Sequence, residues 1–290
     1  MKTKHYLAIG ILGAAFAGLL ITGCVKKETP PSNNSSADYT AAQDDANGTF
    51  AIEDSKNVAD GAAKGQANER MMSGCETILR RDTVIGGNTD SLLDIIFPGS
   101  GCICNDNRTR AGHILVWYNG GSYFTQGSTI SMGFKNYFVS APLSNLANAF
   151  QVTGTRTLTN VGLDSAGLYT WSFSANLSLI YPNNGGTATW ISNRTNTLTK
   201  VGGNWYYSVM GSANGVSRKN VAYSINITSP IYVTAWPWWL GGCAFFESGK
   251  VTVNVTGLPA IYVTFGTAIG TCNANMTATV NGTVYNLSQW

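Results

Sequence analysis

Hydrophobic and polar residues alternate with a period of two along most of the chain after Cys75. In segment 169–179 aromatic and aliphatic residues occupy every second position, and segments 221–227 and 250–256 repeat the pattern. Such alternation is typical of β-strands with one buried and one solvated face. Turns rich in Gly and Asn, such as Asn281-Gly282, separate the segments. The pattern predicts an all-β fold: an antiparallel meander of about ten to twelve strands, arranged as a sandwich, a barrel or a large curved sheet.

The first 24 residues have a different pattern. Lys2 and Lys4 precede an apolar run from Leu7 to Ile21, and the segment ends in Thr22-Gly23-Cys24. Charge, length and the small residues at the end are typical of a secretory signal rather than a membrane span. The ending resembles a lipobox, which predicts a signal peptide over 1–23 and a diacylglyceryl and N-acyl anchor on Cys24. The alternative is an ordinary signal with a chance cysteine.

Composition divides the rest of the chain. Segment 24–37 is rich in Pro, Ser and Asn and predicts a flexible tether after the lipidated Cys24. Segment 38–73 is polar and Ala-rich and contains Gly48, Gly61 and Gly65, which predicts one or two short helices or disorder. Residues 74–290 are expected to form a single all-β domain. Because Val25 is not an Asp, we expect an outer-membrane lipoprotein; the periplasmic face and the cell surface both remain open.

Five cysteines follow Cys24, and hairpin register suggests partners for four of them. A turn near residue 88 places Cys75 opposite a position near 101, and a turn near 258 places Cys243 opposite a position near 273. Exported proteins commonly contain disulfides, and these separations fit disulfide geometry. We therefore predict Cys75–Cys102 and Cys243–Cys272, with Cys104 left over. The alternative is that all five are reduced core residues.

Charge is distributed unevenly along the chain. Residues 24–106 contain 13 acidic and 7 basic residues, a net charge of −6, whereas residues 107–290 contain 9 basic and 2 acidic residues, a net charge of +7. The basic residues of the second part are dispersed rather than clustered, which argues against nucleic-acid binding. Lys and Arg at sheet edges would discourage aggregation. Attraction to anionic glycans or lipopolysaccharide is an alternative.

Catalytic groups are scarce in the β-region. A glycosidase needs two carboxylates, and after residue 107 only Asp164 and Glu247 are acidic; Asp164 lies in a Gly-flanked turn, where Asp is common. His113 would be the only histidine for a catalytic triad and is expected to lie on a partly exposed strand. No hydrolase elbow, zinc motif or Cys-x-x-Cys pair is present. We therefore predict no enzyme activity, no catalytic residues, no metal and no cofactor.

Trp236-Pro237-Trp238-Trp239 is the best candidate for ligand binding. Adjacent strand residues point to opposite faces, so Trp238 and Trp239 cannot both be buried on one side. Exposed indoles could stack on sugars or enter a membrane interface. Packing against the nearby Cys243 hairpin is the alternative.

Five short motifs occur together in this chain, and their combination resembles a group of bacterial proteins. They are Cys75-Glu76-Thr77, Phe97-Pro98-Gly99-Ser100-Gly101-Cys102, Arg108-Thr109-Arg110-Ala111-Gly112-His113-Ile114, Phe134-Lys135-Asn136-Tyr137-Phe138-Val139, and Thr279-Val280-Asn281-Gly282-Thr283-Val284-Tyr285. Over about residues 73–288 the chain resembles uncharacterised outer-membrane lipoproteins of the Bacteroidota. The resemblance implies a surface or periplasmic all-β lipoprotein and no known activity. Where relatives have acidic residues, Thr267-Ala268-Ile269-Gly270 is neutral, so no cation site is expected there.

The leading functional hypothesis is a lipid-anchored lipoprotein with a non-enzymatic role in binding or in the structure of the envelope. Its partners would be the membrane, through the anchor on Cys24, and a glycan or an envelope protein. One alternative is a surface glycan hydrolase, which would need Asp164 or Glu247 beside another carboxylate. The second is a curved sheet that carries a lipid on an open apolar concave face.

Overall fold

The computed structural model describes residues 40–63, 76–85, 88–120, 125–141, 144–235, 243 and 245–288. Thirteen antiparallel strands form one open sheet whose order follows the sequence from β1 to β13. This confirms the predicted all-β meander and adds one strand to the expected range. The strands are β1 Thr77–Ile85, β2 Asn88–Ile103, β3 Thr109–Asn119, β4 Thr129–Val139, β5 Phe150–Leu163, β6 Tyr169–Ile180, β7 Thr187–Val201, β8 Asn204–Val216, β9 Ala222–Thr234, β10 Ser248–Val255, β11 Ile261–Gly266, β12 Asn275–Val280 and β13 Thr283–Ser288.

The alternation in sequence determines which face of each strand is buried. In β6, Trp171, Phe173 and Leu177 are buried, whereas Ser172 and Ser174 between them are exposed. Pairing in register continues each buried row into the next strand, because directly opposed residues lie on the same face of a sheet. The inward rows of the central strands therefore form one continuous core.

The α-helix α1 (Thr40–Ala63, 24 residues) lies against the inward face of this sheet. It packs against β2, β3, β6, β7 and β10. Asp54 binds Arg110 of β3, whereas Lys56, two residues further along the helix, lies over the ring of Tyr207 in β8. In a flat sheet these two strands would be about 24 Å apart, since neighbouring strands are spaced by about 4.8 Å. A helix is only about 10–12 Å across, so the sheet must curve around α1. Register shifts between several strand pairs, such as β3–β4 and β8–β9, are bulges or other irregularities of the pairing, which can bend a sheet.

The helix is longer than the short helices that the glycines predicted. Gly48 lies within α1 because the Trp190 ring of β7 packs directly against the helix backbone at this point. A Cβ atom at Gly48 would lie 2.6 Å from Cδ2 of Trp190. Glycine here allows close approach of the helix to the sheet, and this contact offsets the helix propensity that glycine costs.

The predicted Cys243–Cys272 disulfide is confirmed, with a Cα–Cα distance of 5.3 Å. For the other pair, Cys75 lies outside the described residues, whereas Cys102 is buried and disulfide-bonded. Cys104 is buried and its thiol is free of any disulfide. Within the described ranges, no helix combines the length and the apolar character needed to cross a membrane. The predicted signal peptide (1–23), the lipidation site Cys24 and the tether (24–37) also lie outside these ranges.

Candidate functional site: the charged interface between helix and sheet

Acidic residues of α1 meet arginines of the inward sheet face. Asp44, Asp45 and Asp54 of the helix are at most 5% exposed, and Arg110, Arg156 and Arg194 of the sheet are at most 6% exposed. Buried charges require partners of opposite charge or hydrogen bonds. Helix and sheet region supply these to each other across 56 to 174 residues of sequence. We call this set of contacts the charged interface.

The first cluster centres on Arg110 of β3. Its Nε and Nη2 donate to the two carboxylate oxygens of Asp54 at 3.2 and 2.5 Å, and its Nη1 donates to Asp106 at 2.9 Å. The Tyr137 hydroxyl donates to Asp54 at 2.7 Å. Burial alone would raise the pKa of Asp106, but the hydrogen bonds and charge of Arg110 outweigh it and lower that pKa. Burial raises the pKa of Tyr137 well above its ordinary value, so the phenol stays a donor.

The second cluster surrounds Trp190 of β7. Its indole Nε1 donates to Asp45 at 2.7 Å, and Arg194 donates to the same oxygen through Nη2 at 3.2 Å. Arg194 also donates to the Thr49 hydroxyl at 3.0 Å and lies over the Trp190 ring. Burial raises the pKa of Asp45, although the charge of Arg194 and the bond from Trp190 act in the opposite direction.

Two further arginines complete the charged interface. Arg156 of β5 donates to the backbone carbonyl of Ile52 in α1 at 2.8 Å. The backbone N–H of Arg218 donates to Asp44 at 2.8 Å, and its guanidinium lies over the ring of Tyr181. The Arg218 Nε is also 2.8 Å from the other oxygen of Asp44, an ion-pair contact whose angle does not make a hydrogen bond. Burial raises the pKa of Asp44 against the effect of these contacts.

These contacts correct the interpretation of the basic residues as protection of sheet edges. Arg110, Arg156 and Arg194 point inward, although they are dispersed along the sequence. Exposed basic side chains include Lys135 and Lys250, and Arg80 and Arg81 on the edge strand β1. The sequence did contain a signal for the inward arginines. Arg194 is an even number of residues from Trp190, and residues at such a spacing lie on the same face of a β-strand.

The candidate catalytic acids have structural roles. Asp164 accepts hydrogen bonds from the backbone N–H groups of Ala166 and Leu168 in an exposed turn. Glu247 is buried and accepts from the Thr234 hydroxyl at 2.6 Å and from the N–H of Gly270 at 2.5 Å. Asp164 is thus occupied by its own turn, and Glu247 by the end of β9 and the connection between β11 and β12.

His113 of β3 is partly exposed, as expected, and its Nδ1 lies 2.9 Å from a carboxylate oxygen of Asp94 on the neighbouring strand β2. In the part of the chain that the structure describes, no group of three His, Cys, Asp or Glu residues is arranged to hold a metal ion.

The predicted ligand-binding residues Trp236, Trp238 and Trp239 lie outside the described residues. Of the other tryptophans, Trp171 and Trp190 are buried, whereas Trp117 is 41% exposed. The fold and the charged interface thus define the chain as a curved antiparallel sheet built around its own helix. Comparisons with protein-family models, with curated proteins and with solved structures found no match.

The charged interface predicts an unusual pH dependence. Because the pKa of Asp45 is raised from 3.8 in the fold, the native state binds more protons than the unfolded state above that pH. The contribution of Asp45 is therefore fully present below pH 3.8 and is lost as the pH rises through its raised pKa. We expect urea unfolding between about pH 3 and pH 7 to show a flatter pH profile for Asp45→Asn, which retains an acceptor for Trp190. Parallel profiles for the two proteins would contradict the assignment.

Proposed function

We propose that the protein is a lipid-anchored lipoprotein of the outer membrane or cell surface, with a non-enzymatic role in binding or in the structure of the envelope. The anchor is supported by the lipobox-like ending Thr22-Gly23-Cys24. The non-enzymatic role is supported by the charged interface, because the inward face of the sheet is occupied by α1. The arginines that could have bound an anionic substrate are engaged by the helix and by Asp106.

The two alternatives receive less support. A glycan hydrolase needs a second carboxylate beside Asp164 or Glu247. Asp164 is bonded within its own turn, and Glu247 is bonded by Thr234 and Gly270. A lipid carrier needs an open apolar concave face, whereas α1 and its buried ion pairs fill this one.

The outward face of the sheet is the surface left for a partner. Opposed positions of β4 to β10 form a row about 29 Å wide that contains only hydroxyl and amide side chains. The row is Ser131, Thr157, Ser174, Asn193, Ser212, Asn226 and Thr252. An uncharged row of this kind suits a neutral glycan or an uncharged protein surface better than lipopolysaccharide or nucleic acid.

Lipidation can be tested on the whole chain in its envelope. We expect mass spectrometry of the mature amino terminus to find a diacylglyceryl group and an N-acyl group on Cys24. Cys24→Ala should prevent cleavage before position 24, so the signal peptide should stay attached to the protein. The variant should also incorporate no labelled palmitate. An unmodified thiol at position 24 in the membrane-bound protein would refute the anchor.

Binding is tested separately with immobilised probes. We expect the protein to be retained on neutral glycans, such as dextran or mannan, more strongly than on heparin or lipopolysaccharide at the same salt concentration. Stronger retention on the anionic probes, or equal failure on all of them, would count against the glycan-binding version. Either outcome would leave the structural role in the envelope as the proposed function.

A further inference from the structure

A small cavity lies between α1 and the inward faces of β6 to β9. Thr49 and Glu53 of the helix line it, together with Arg194 and Asn196 of β7; the rest of the lining is mostly apolar. Its volume is about 10 Å³. This is close to the smallest space that can hold one water molecule, and it is too small for an organic ligand.

Two buried polar atoms at this cavity have no protein partner. Arg194 is 6% exposed and Asn196 is 9% exposed. In the described part of the chain, neither Nε of Arg194 nor Oδ1 of Asn196 has a hydrogen-bond partner. Buried polar atoms in folded proteins almost always have one, from protein or from an ordered water. One of these atoms is a donor and the other an acceptor, and a single water molecule can satisfy both.

Local charge selects a neutral occupant. The Arg194 guanidinium disfavours a cation, while Glu53 at the cavity and Asp45, paired with Arg194, disfavour an anion. The Thr49 hydroxyl already accepts from Arg194 and can donate a further bond. The site thus offers the two to four polar partners that a buried water typically has.

We propose that this cavity binds one ordered water molecule, which accepts from Nε of Arg194, donates to Oδ1 of Asn196 and links the sheet to α1 through Thr49. The water is an integral part of the charged interface, because it satisfies Nε of Arg194, the one guanidinium nitrogen that bonds neither Asp45 nor Thr49. It extends the polar contacts beneath the helix into an otherwise apolar part of the core.

The test is a high-resolution crystal structure of the mature protein and of two matched variants. We expect a well-ordered water within hydrogen-bond distance of both atoms in the wild type. Asn196→Leu, which has a similar volume and no acceptor, should lose it. Asn193→Leu alters an exposed position on the opposite face of the same strand and should retain it.

A wild-type cavity without water, or a water retained unchanged in Asn196→Leu, would overturn the proposal. If Asn196→Leu does not fold, Val209→Ile serves instead. Val209 also lines the cavity, and a larger side chain there should expel the water while both polar atoms remain. Water density that persists in Val209→Ile would likewise refute the site.

Discussion

Asp54→Ala is expected to lower the free energy of unfolding by about 3–5 kcal/mol, because it removes one partner of a buried ion pair. Arg110 is 1% exposed and places two of its three nitrogens against Asp54. The variant would leave this guanidinium with Asp106 alone and would also remove the acceptor of the Tyr137 hydroxyl. Water cannot replace these contacts without opening the space between α1 and the sheet.

Chemical denaturation measures this effect, and two further variants make it specific. Asp82→Ala removes an exposed ion pair with Arg80 and should change stability little. Asp54→Asn, which keeps an acceptor for the Tyr137 hydroxyl and for Arg110, should be less destabilising than Asp54→Ala. If Asp54→Ala and Asp82→Ala had equal effects, the buried pair would not be important for stability.

The strands and one disulfide could be predicted from sequence because both depend on local pattern. Period-two alternation reports directly which face of a strand is buried, and the thirteen strands pair only with their neighbours in sequence. The same reasoning placed Cys243 opposite a position near 273, and the structure pairs it with Cys272. Such a meander can stay flat, close into a barrel or curve. Which of these occurs depends on bulges and on what covers the face of the sheet, and the period-two pattern reveals neither.

The helix and the charged interface could not be predicted for a physical reason. An amphipathic stripe identifies a helix that covers one side of a core, but α1 is surrounded by the sheet and buries Asp44, Asp45 and Asp54 as well as Phe50. Its acids therefore resembled a solvated segment in the sequence. The opposite net charges of the two parts of the chain were visible, but their pairing is long-range and required the curvature of the sheet.

Trp190→Ala is expected to be the other severe substitution, with a loss of about 3–5 kcal/mol, since it empties a large core site. Trp190 is completely buried, packs against Gly48 and donates to Asp45. Gly48→Leu should also destabilise, by about 1–3 kcal/mol, because its side chain would enter the space of the indole. The same substitution at an exposed glycine of a helix would raise the free energy of unfolding, since most residues favour helix more than glycine does.

The double variant decides whether α1 is seated as described. In the Trp190→Ala background the Gly48→Leu side chain would occupy the vacated space. The two changes together should therefore cost less than the sum of the single changes, by about 0.5–3 kcal/mol as expected for residues in contact. Denaturation of all four proteins closes this cycle. Strict additivity would mean that Gly48 and Trp190 are not in contact.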